Sequence, residues 1–213
     1  MKRTILIAIV IAGILAAAAG AAAVGIVSQK ISIFTTSLTH ASCTLPGTSV
    51  SDDVYTDENA PTTNTGAATT TISISPRSSR RRYGWIRFDL SACSLPANAQ
   101  VDSATLTVNV TTAMTGRTVT VTEATGSWTE GALTWNTNPT VAGSATGTFS
   151  ANATGAKTVD VSADVADWVA GAATNNGWQV ADLGASTNLT GALGSSENAT
   201  VGNRPTLAIS YAS

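Results

Sequence analysis

Residues 104–110 read ATLTVNV, which sets Leu106, Val108 and Val110 on one side and Thr105, Thr107 and Asn109 on the other. Successive side chains of a strand point to opposite faces, so an apolar residue at every second position marks a strand buried on one side. The same alternation recurs along the chain. TTTISIS (69–75) alternates Ile72 and Ile74 with hydroxyls, and GWIRF (84–88) opposes Trp85 and Arg87 to Ile86 and Phe88. TVTVTE (118–123), KTVDV (157–161), GWQVADL (177–183) and TLAISY (206–211) repeat it, separated by turn-rich stretches such as SLPANAQ (94–100) and NPTVAGSATG (138–147). Only SADVADWVAG (162–171) breaks the period, with Val165, Trp168 and Val169 three and four apart, Ser162 placed as a cap and Gly171 as a stop. Many short strands with little helix predict an all-β, antiparallel β-sandwich, jelly-roll-like, with one short helix. No internal repeat is evident, which argues against propellers and β-helices.

The chain has 213 residues, enough for one domain and an appendage. Charged residues are 11%, against roughly 25% in an average soluble domain. Thr and Ser take their place, giving a neutral, hydroxyl-rich surface of the kind common in β-structure. Net charge is −2, and Lys2 and Arg3 lie at the N-terminus, so the remainder is mildly acidic and no nucleic-acid partner is expected. After MKRT, the run ILIAIVIAGILAAAAGAAAVGIV carries no charge. Residues 1–27 therefore read as an apolar helix that is either a cleaved signal peptide or a retained membrane anchor. Both readings place the rest outside the cytoplasm, secreted or held at the cell surface. Residues 28–50 read as a linker or leading strand, and 51–213 as the sandwich domain. Cys43 and Cys93 then sit where a disulfide is permitted, either bridging linker and domain or remaining separate thiols.

The lone histidine, His40, falls in the linker, which removes a Ser-His-Asp triad and a His-based zinc site together. A glycosidase can work with two carboxylates alone. Glu123, Glu130 and Glu197, with Asp89, Asp160 and Asp164, are the acids for that role, but no spacing sets a pair across a cleft, so no enzyme is expected. The segment SPRSSRRRYGW (75–85) concentrates Arg77, Arg80, Arg81 and Arg82 before Tyr83 and Trp85. Guanidinium forks grip carboxylates and sulfates at two points, and aromatic faces stack on sugar rings. Arg80, Arg81, Arg82, Tyr83 and Trp85 are accordingly the candidate ligand-binding residues, against the plainer reading of a solvated hairpin before a core strand. No cofactor is expected beyond a structural calcium, for which Asp52, Asp53, Asp57 and Glu58 offer oxygen ligands without forming an EF-hand. Sequons at Asn109, Asn152, Asn188 and Asn198 permit glycosylation at a density close to chance.

Six stretches together carry a family resemblance. They are DDVYTDENAPTTNTG (52–66), with Asp53, Tyr55, Pro61, Asn64 and Gly66; WIRFDLSACSLPANAQVDSATLTVNV (85–110); W-T-E-G-A-L-T-W-N-T-N-P (128–139); VDVSADVADWVAG (159–171); NNGWQV (175–180); and SSENATVGNRPTLAISY (195–211). In this order and spacing the chain resembles the DNRLRE domain family, which overlaps carbohydrate-binding module family 96. The letters of that name do not occur here. Ala92-Cys93 interrupts the usual core motif, so a Cys43–Cys93 link is not something the resemblance implies. The resemblance implies an extracellular β-sandwich, often attached to polysaccharide-degrading enzymes or surface proteins, with no catalytic role. It also gives residues 128–139 a fixed structural place, so Trp128, Trp135 and Trp168 are expected in the core and Glu130 on backbone donors of the turn. The leading expectation is a polysaccharide-binding module, its ligand acidic if the arginines form the site. The alternative is a surface-layer or filament subunit that self-assembles by adding the strand ISIFTTSLT (31–39) to a neighbour's sheet.

Overall fold

The computed structural model describes residues 38–66 and 69–213. The expected N-terminal apolar helix and all but the last two residues of ISIFTTSLT lie outside the described residues. Eleven strands follow one another: β1 (His40–Leu45), β2 (Val50–Asp57), β3 (Thr71–Ile74), β4 (Arg82–Phe88), β5 (Gln100–Thr112), β6 (Thr118–Glu123), β7 (Gly147–Ser150), β8 (Gly155–Asp160), β9 (Trp178–Ala181), β10 (Gly191–Gly194) and β11 (Thr206–Ala212). One α-helix, α1 (Ser162–Val169), lies between β8 and β9. The first sheet runs β1-β11-β5-β10-β3, with β8 also on β5, and the second runs β2-β4-β9-β6-β7. All pairings are antiparallel. The described residues form an all-β antiparallel two-sheet sandwich with one short helix.

The core follows from the alternation. Leu106, Val108 and Val110 of β5 are buried and pack with Ile72 and Ile74 of β3, Ile86 and Phe88 of β4, Val119 and Val121 of β6, and Leu207 and Ile209 of β11. Transfer of such side chains from water contributes about 1.5–3 kcal/mol each, so the apolar faces of the two sheets drive them together. Helix α1 closes one end through Val165 and Trp168, whose ring centroid lies 4.7 Å from that of Trp178 on β9. Ser162 is not its cap. Asp160 accepts from Ser162 N at 2.9 Å, while Ser162 Oγ accepts from Ala104 N at 2.8 Å and so ties the helix to β5. Gly171 ends this segment at φ +72°, a conformation that costs glycine least.

Within residues 28–50, His40–Leu45 form β1, the edge strand beside β11, and Thr39 exchanges two backbone hydrogen bonds with Ser213. The described end of ISIFTTSLT is thus paired within its own chain. Cys43 on β1 is joined to Cys93, at the end of a short 3-10 turn (Leu90–Cys93), with Cα atoms 5.7 Å apart. That bridge fastens an edge strand that otherwise has one neighbour. No helix among the described residues is long and apolar enough to cross a membrane.

Candidate functional site

Strand β4 is buried on both faces, and this decides what its side chains can do. Ile86 and Phe88 point into the main core, whereas Trp85 points to the other side of its sheet. There it meets a second apolar cluster with Val54, Ala124, Trp128 and Leu133, packed against Tyr83. The segment 125–139 crosses this outer face as a strap and seals it. Trp85 and Trp128 have centroids 6.2 Å apart, Trp128 donates from its indole to Asn176 O at 2.8 Å, and Arg87 lies over the Trp128 ring at 5.5 Å. Trp85 is 0% exposed and cannot stack on a ligand, so it leaves the candidate set. Trp128 and Trp168 are core residues, as expected.

Trp135 is the correction to that expectation. It is half-buried, outside both clusters, at the start of a 3-10 turn (Trp135–Thr137). Thr134 and Thr137 close a reciprocal capping box around the turn, and Asn136 N donates to Pro61 O at 3.0 Å. The Trp135 ring rests 4.9 Å from Tyr83 at a 39° tilt, with the Arg81 guanidinium 5.5 Å from its centroid. The signal for this was the setting: W-N-T-N-P reads as a turn, where a side chain has no sheet to cover it. Within the strap, Glu130 N donates to Asp52 Oδ1 at 2.8 Å.

The arginines divide into two kinds. Arg81 is clamped by Glu58, with Nε to Oε2 at 3.1 Å and Nη2 to Oε1 at 2.5 Å. That bidentate contact holds the Glu58 carboxyl below its usual range and Arg81 above its own. Arg82 is half-buried and bonds Asp57 at 2.7 Å, its guanidinium over Tyr55 at 5.7 Å. Arg87 pairs with Asp52. Arg77 and Arg80 are exposed at a turn closed by Arg80 N on Arg77 O at 2.9 Å, and neither guanidinium has an ion pair among the described residues. Of the candidate ligand residues, Arg80, Arg81 and Tyr83 therefore remain at the surface, Arg82 is tied into the sheet edge, and Trp85 is inside.

Those pairings also redraw the calcium expectation. Asp52, Asp57 and Glu58 each hold an arginine, and only Asp53 is left of the four. Asp53 instead meets Glu130 and Glu197, with one carboxylate oxygen of each within 4.8 Å of the others; among the described residues these could hold a divalent cation. Asp53 is 2% exposed and accepts from Ser196 N at 2.7 Å and Ser196 Oγ at 2.9 Å. Burial pushes its pKa up to about 7, Ser196 pulls it back and Glu197 adds to the rise. Glu123, Asp160 and Asp164 line a separate cleft of about 510 Å³ at the helix end of the sandwich, with Ser144 and Thr146 among others, while Asp89 caps the Leu90–Cys93 turn by accepting from Ser91 N at 2.9 Å. In the cleft, Glu123 accepts from the Trp168 indole and Asp164 from the Trp178 indole, each at 2.7 Å.

On this two-sheet antiparallel sandwich, the turn before β4 carries exposed arginines, of which Arg81 lies over the Trp135 ring beside Tyr83. The model of carbohydrate-binding module family 96 matches residues 47–211. The chain belongs to that family, and it is a carbohydrate-binding domain by membership. A comparison with curated proteins gave no match.

Proposed function

We propose that this protein is a non-catalytic polysaccharide-binding module that works outside the cytoplasm, secreted or anchored at the cell surface, and that it grips an acidic glycan through residues 77–83. One observation carries the site: Arg77 and Arg80 are the exposed arginines without an ion pair among the described residues, and they share a turn with Arg81, whose guanidinium lies over the Trp135 ring beside Tyr83. An unpaired guanidinium pays no exchange of partners when it takes a carboxylate or sulfate in a two-point contact. The non-catalytic reading is supported by the acids, which hold structure: Glu123 and Asp164 fix two core tryptophans, while Asp52, Asp57 and Glu58 fix arginines. Export is supported by the apolar leader following Lys2 and Arg3 and by the Cys43–Cys93 bridge, which suits an oxidising compartment.

The test is calorimetric titration of the purified protein with polygalacturonate, dextran sulfate and uncharged dextran, repeated after Arg77→Ala and Arg80→Ala together. Saturable binding of a charged polymer, weakened at least tenfold by the double change, is expected. Binding that survives the double change unaltered would move the site elsewhere, and failure of every polymer to bind would overturn the reading.

A further inference from the structure

Asn109, Asn152, Asn188 and Asn198 each stand two residues before a threonine, and Asn152 and Asn198 share the tripeptide N-A-T. The sequence alone does not rank these sequons, but the fold does. Asn109 lies inside β5, opposite Ala156 of β8, where its Nδ2 donates to Gly202 O at 3.2 Å and Thr111 Oγ1 donates to Ala192 O at 3.2 Å. Asn198 is tied in at both ends of its amide. Its Nδ2 donates to Thr70 O at 2.8 Å, and its Oδ1 accepts from Thr200 N at 3.0 Å and Asn203 Nδ2 at 3.4 Å. Asn152, in the connection between β7 and β8, is exposed, but its Oδ1 accepts from Gly116 N at 2.6 Å. Asn188 and Thr190 are both exposed, and neither side chain has a hydrogen bond among the described residues.

Resting on the export proposed above, and not on polysaccharide binding, we infer that Asn188 is a site of N-linked glycosylation, the sequon whose amide and hydroxyl the folded chain both leaves without a partner among the described residues. The loop 182–190, between β9 and β10, presents it. The loop is fixed on both sides of Asn188, because Ser186 Oγ accepts from Ser78 N at 2.8 Å and Leu189 O accepts from Ser75 Oγ at 3.1 Å. At its start, Asp182 is gripped by Arg117 at 2.6 and 2.7 Å. A bulky group on the side chain between these anchors breaks no hydrogen bond of the described residues. The same loop shows an apolar surface without charge: residues 183–190 hold no Asp, Glu, Lys or Arg, and Leu183 is 56% and Leu189 38% exposed. An oligosaccharide beside Leu189 supplies the solvated hydroxyls that this loop lacks. The co-reactant is an oligosaccharide joined to a lipid through a phosphate or pyrophosphate. Asn188 Nδ2 forms a bond to the anomeric carbon, the bond from that carbon to the phosphate oxygen breaks, and the lipid phosphate leaves with the electron pair. One Nδ2 proton passes to a base of the transferase, and nothing is oxidised or reduced.

The test incubates the purified, folded protein and, in parallel, a proteolytic digest of it with an oligosaccharyltransferase and a lipid-linked oligosaccharide, and follows each sequon by peptide mass spectrometry. All four sequons are expected to react in the digest. In the folded protein Asn188 is expected to react first. Asn109 and Asn198 should fall about tenfold or more below it, because a strand must open or a hydrogen bond must be given up before they react. Asn188→Gln should remove the main product, and Thr190→Ser should retain it. Asn188 inert in the folded protein while its peptide reacts, or slower than any of the other three, would overturn the assignment. A second arm takes the protein from the cells that make it, after separation of cytoplasm, envelope and medium. An oligosaccharide on Asn188 in the envelope or medium is expected. Bare Asn188 in those fractions would overturn this proposal and leave export standing, whereas bare protein confined to the cytoplasm would remove the export reading and this proposal with it. Should the transferase leave the digest unmodified as well, the protein from its own cells decides the question.

Discussion

Asp53 gives the sharpest test of how the sheet edge is built. Its carboxyl is buried on β2, next to Glu197, and its pKa is raised from 3.8 to about 7, chiefly by desolvation. A folded-state pKa above the unfolded one means that the folded protein binds the proton more tightly. The associated stability is therefore fully present below about pH 4 and is lost as the pH climbs through 7. A gap of about 3 units at ~1.4 kcal/mol each sets an upper bound of about 4 kcal/mol. Asp53→Asn removes the titration but faces Ser196 N with an amide, one of whose ends cannot accept, at a cost of about 1–3 kcal/mol. The variant should thus be less stable than wild type near pH 4.5 and more stable by about 1–3 kcal/mol at pH 8.5, with the two curves crossing between. The assay is urea unfolding across that range in the presence of EDTA, so that no divalent cation neutralises Asp53, Glu130 and Glu197. Glu58, Asp89 and Asp160 have lowered pKa values and act in the opposite sense, and the difference between variant and wild type isolates Asp53. Parallel curves for the two proteins would refute the claim that Asp53 carries this penalty.

Three further expectations concern the scaffold. Removing the Cys43–Cys93 bridge, which spans 50 residues, should cost about 4 kcal/mol by chain entropy, read as a lower urea midpoint for Cys43→Ser/Cys93→Ser; an unchanged midpoint would show β1 held by its ladder alone. Trp128→Ala should cost about 3–5 kcal/mol, since it opens a cavity under the strap and leaves Asn176 O without its indole donor; thermal unfolding within a degree of wild type would contradict the strap's sealing role. Gly177→Ala should destabilise by more than 1 kcal/mol, because φ is +71° and a Cβ there would lie 2.1 Å from Ile86 O; a soluble, equally stable variant would show that β9 can shift away from β4.

The fold was largely legible because it rests on period-two alternation, a signal each strand carries locally. Leu106, Val108 and Val110 announced their buried face in seven residues. Strand β4 shows where this stops. The alternation separated Trp85 from Ile86 correctly, but it could not tell that a segment about forty residues later covers the outer face and buries Trp85 as well. The same gap misplaced Trp135, which the family resemblance of residues 128–139 put in the core, whereas the capped turn at Thr134–Thr137 holds it outside. The arginine run was visible as charge, but which guanidiniums are free depends on Asp57 and Glu58 across the β2–β4 pairing. Likewise, Asp53, Glu130 and Glu197 are far apart in sequence and meet only after folding. Ion pairs and clusters of this kind are long-range facts that composition and spacing do not encode.

The most direct test of the central claim is a map of ligand-induced shifts in the amide and indole NMR spectrum during titration with an oligogalacturonate. The account predicts changes concentrated at residues 77–83 and 134–137, including the Trp135 indole, with the buried indoles of Trp85 and Trp128 little affected. Shifts centred instead on the cleft of Glu123, Asp160 and Asp164, or no shifts with any acidic oligosaccharide, would contradict it.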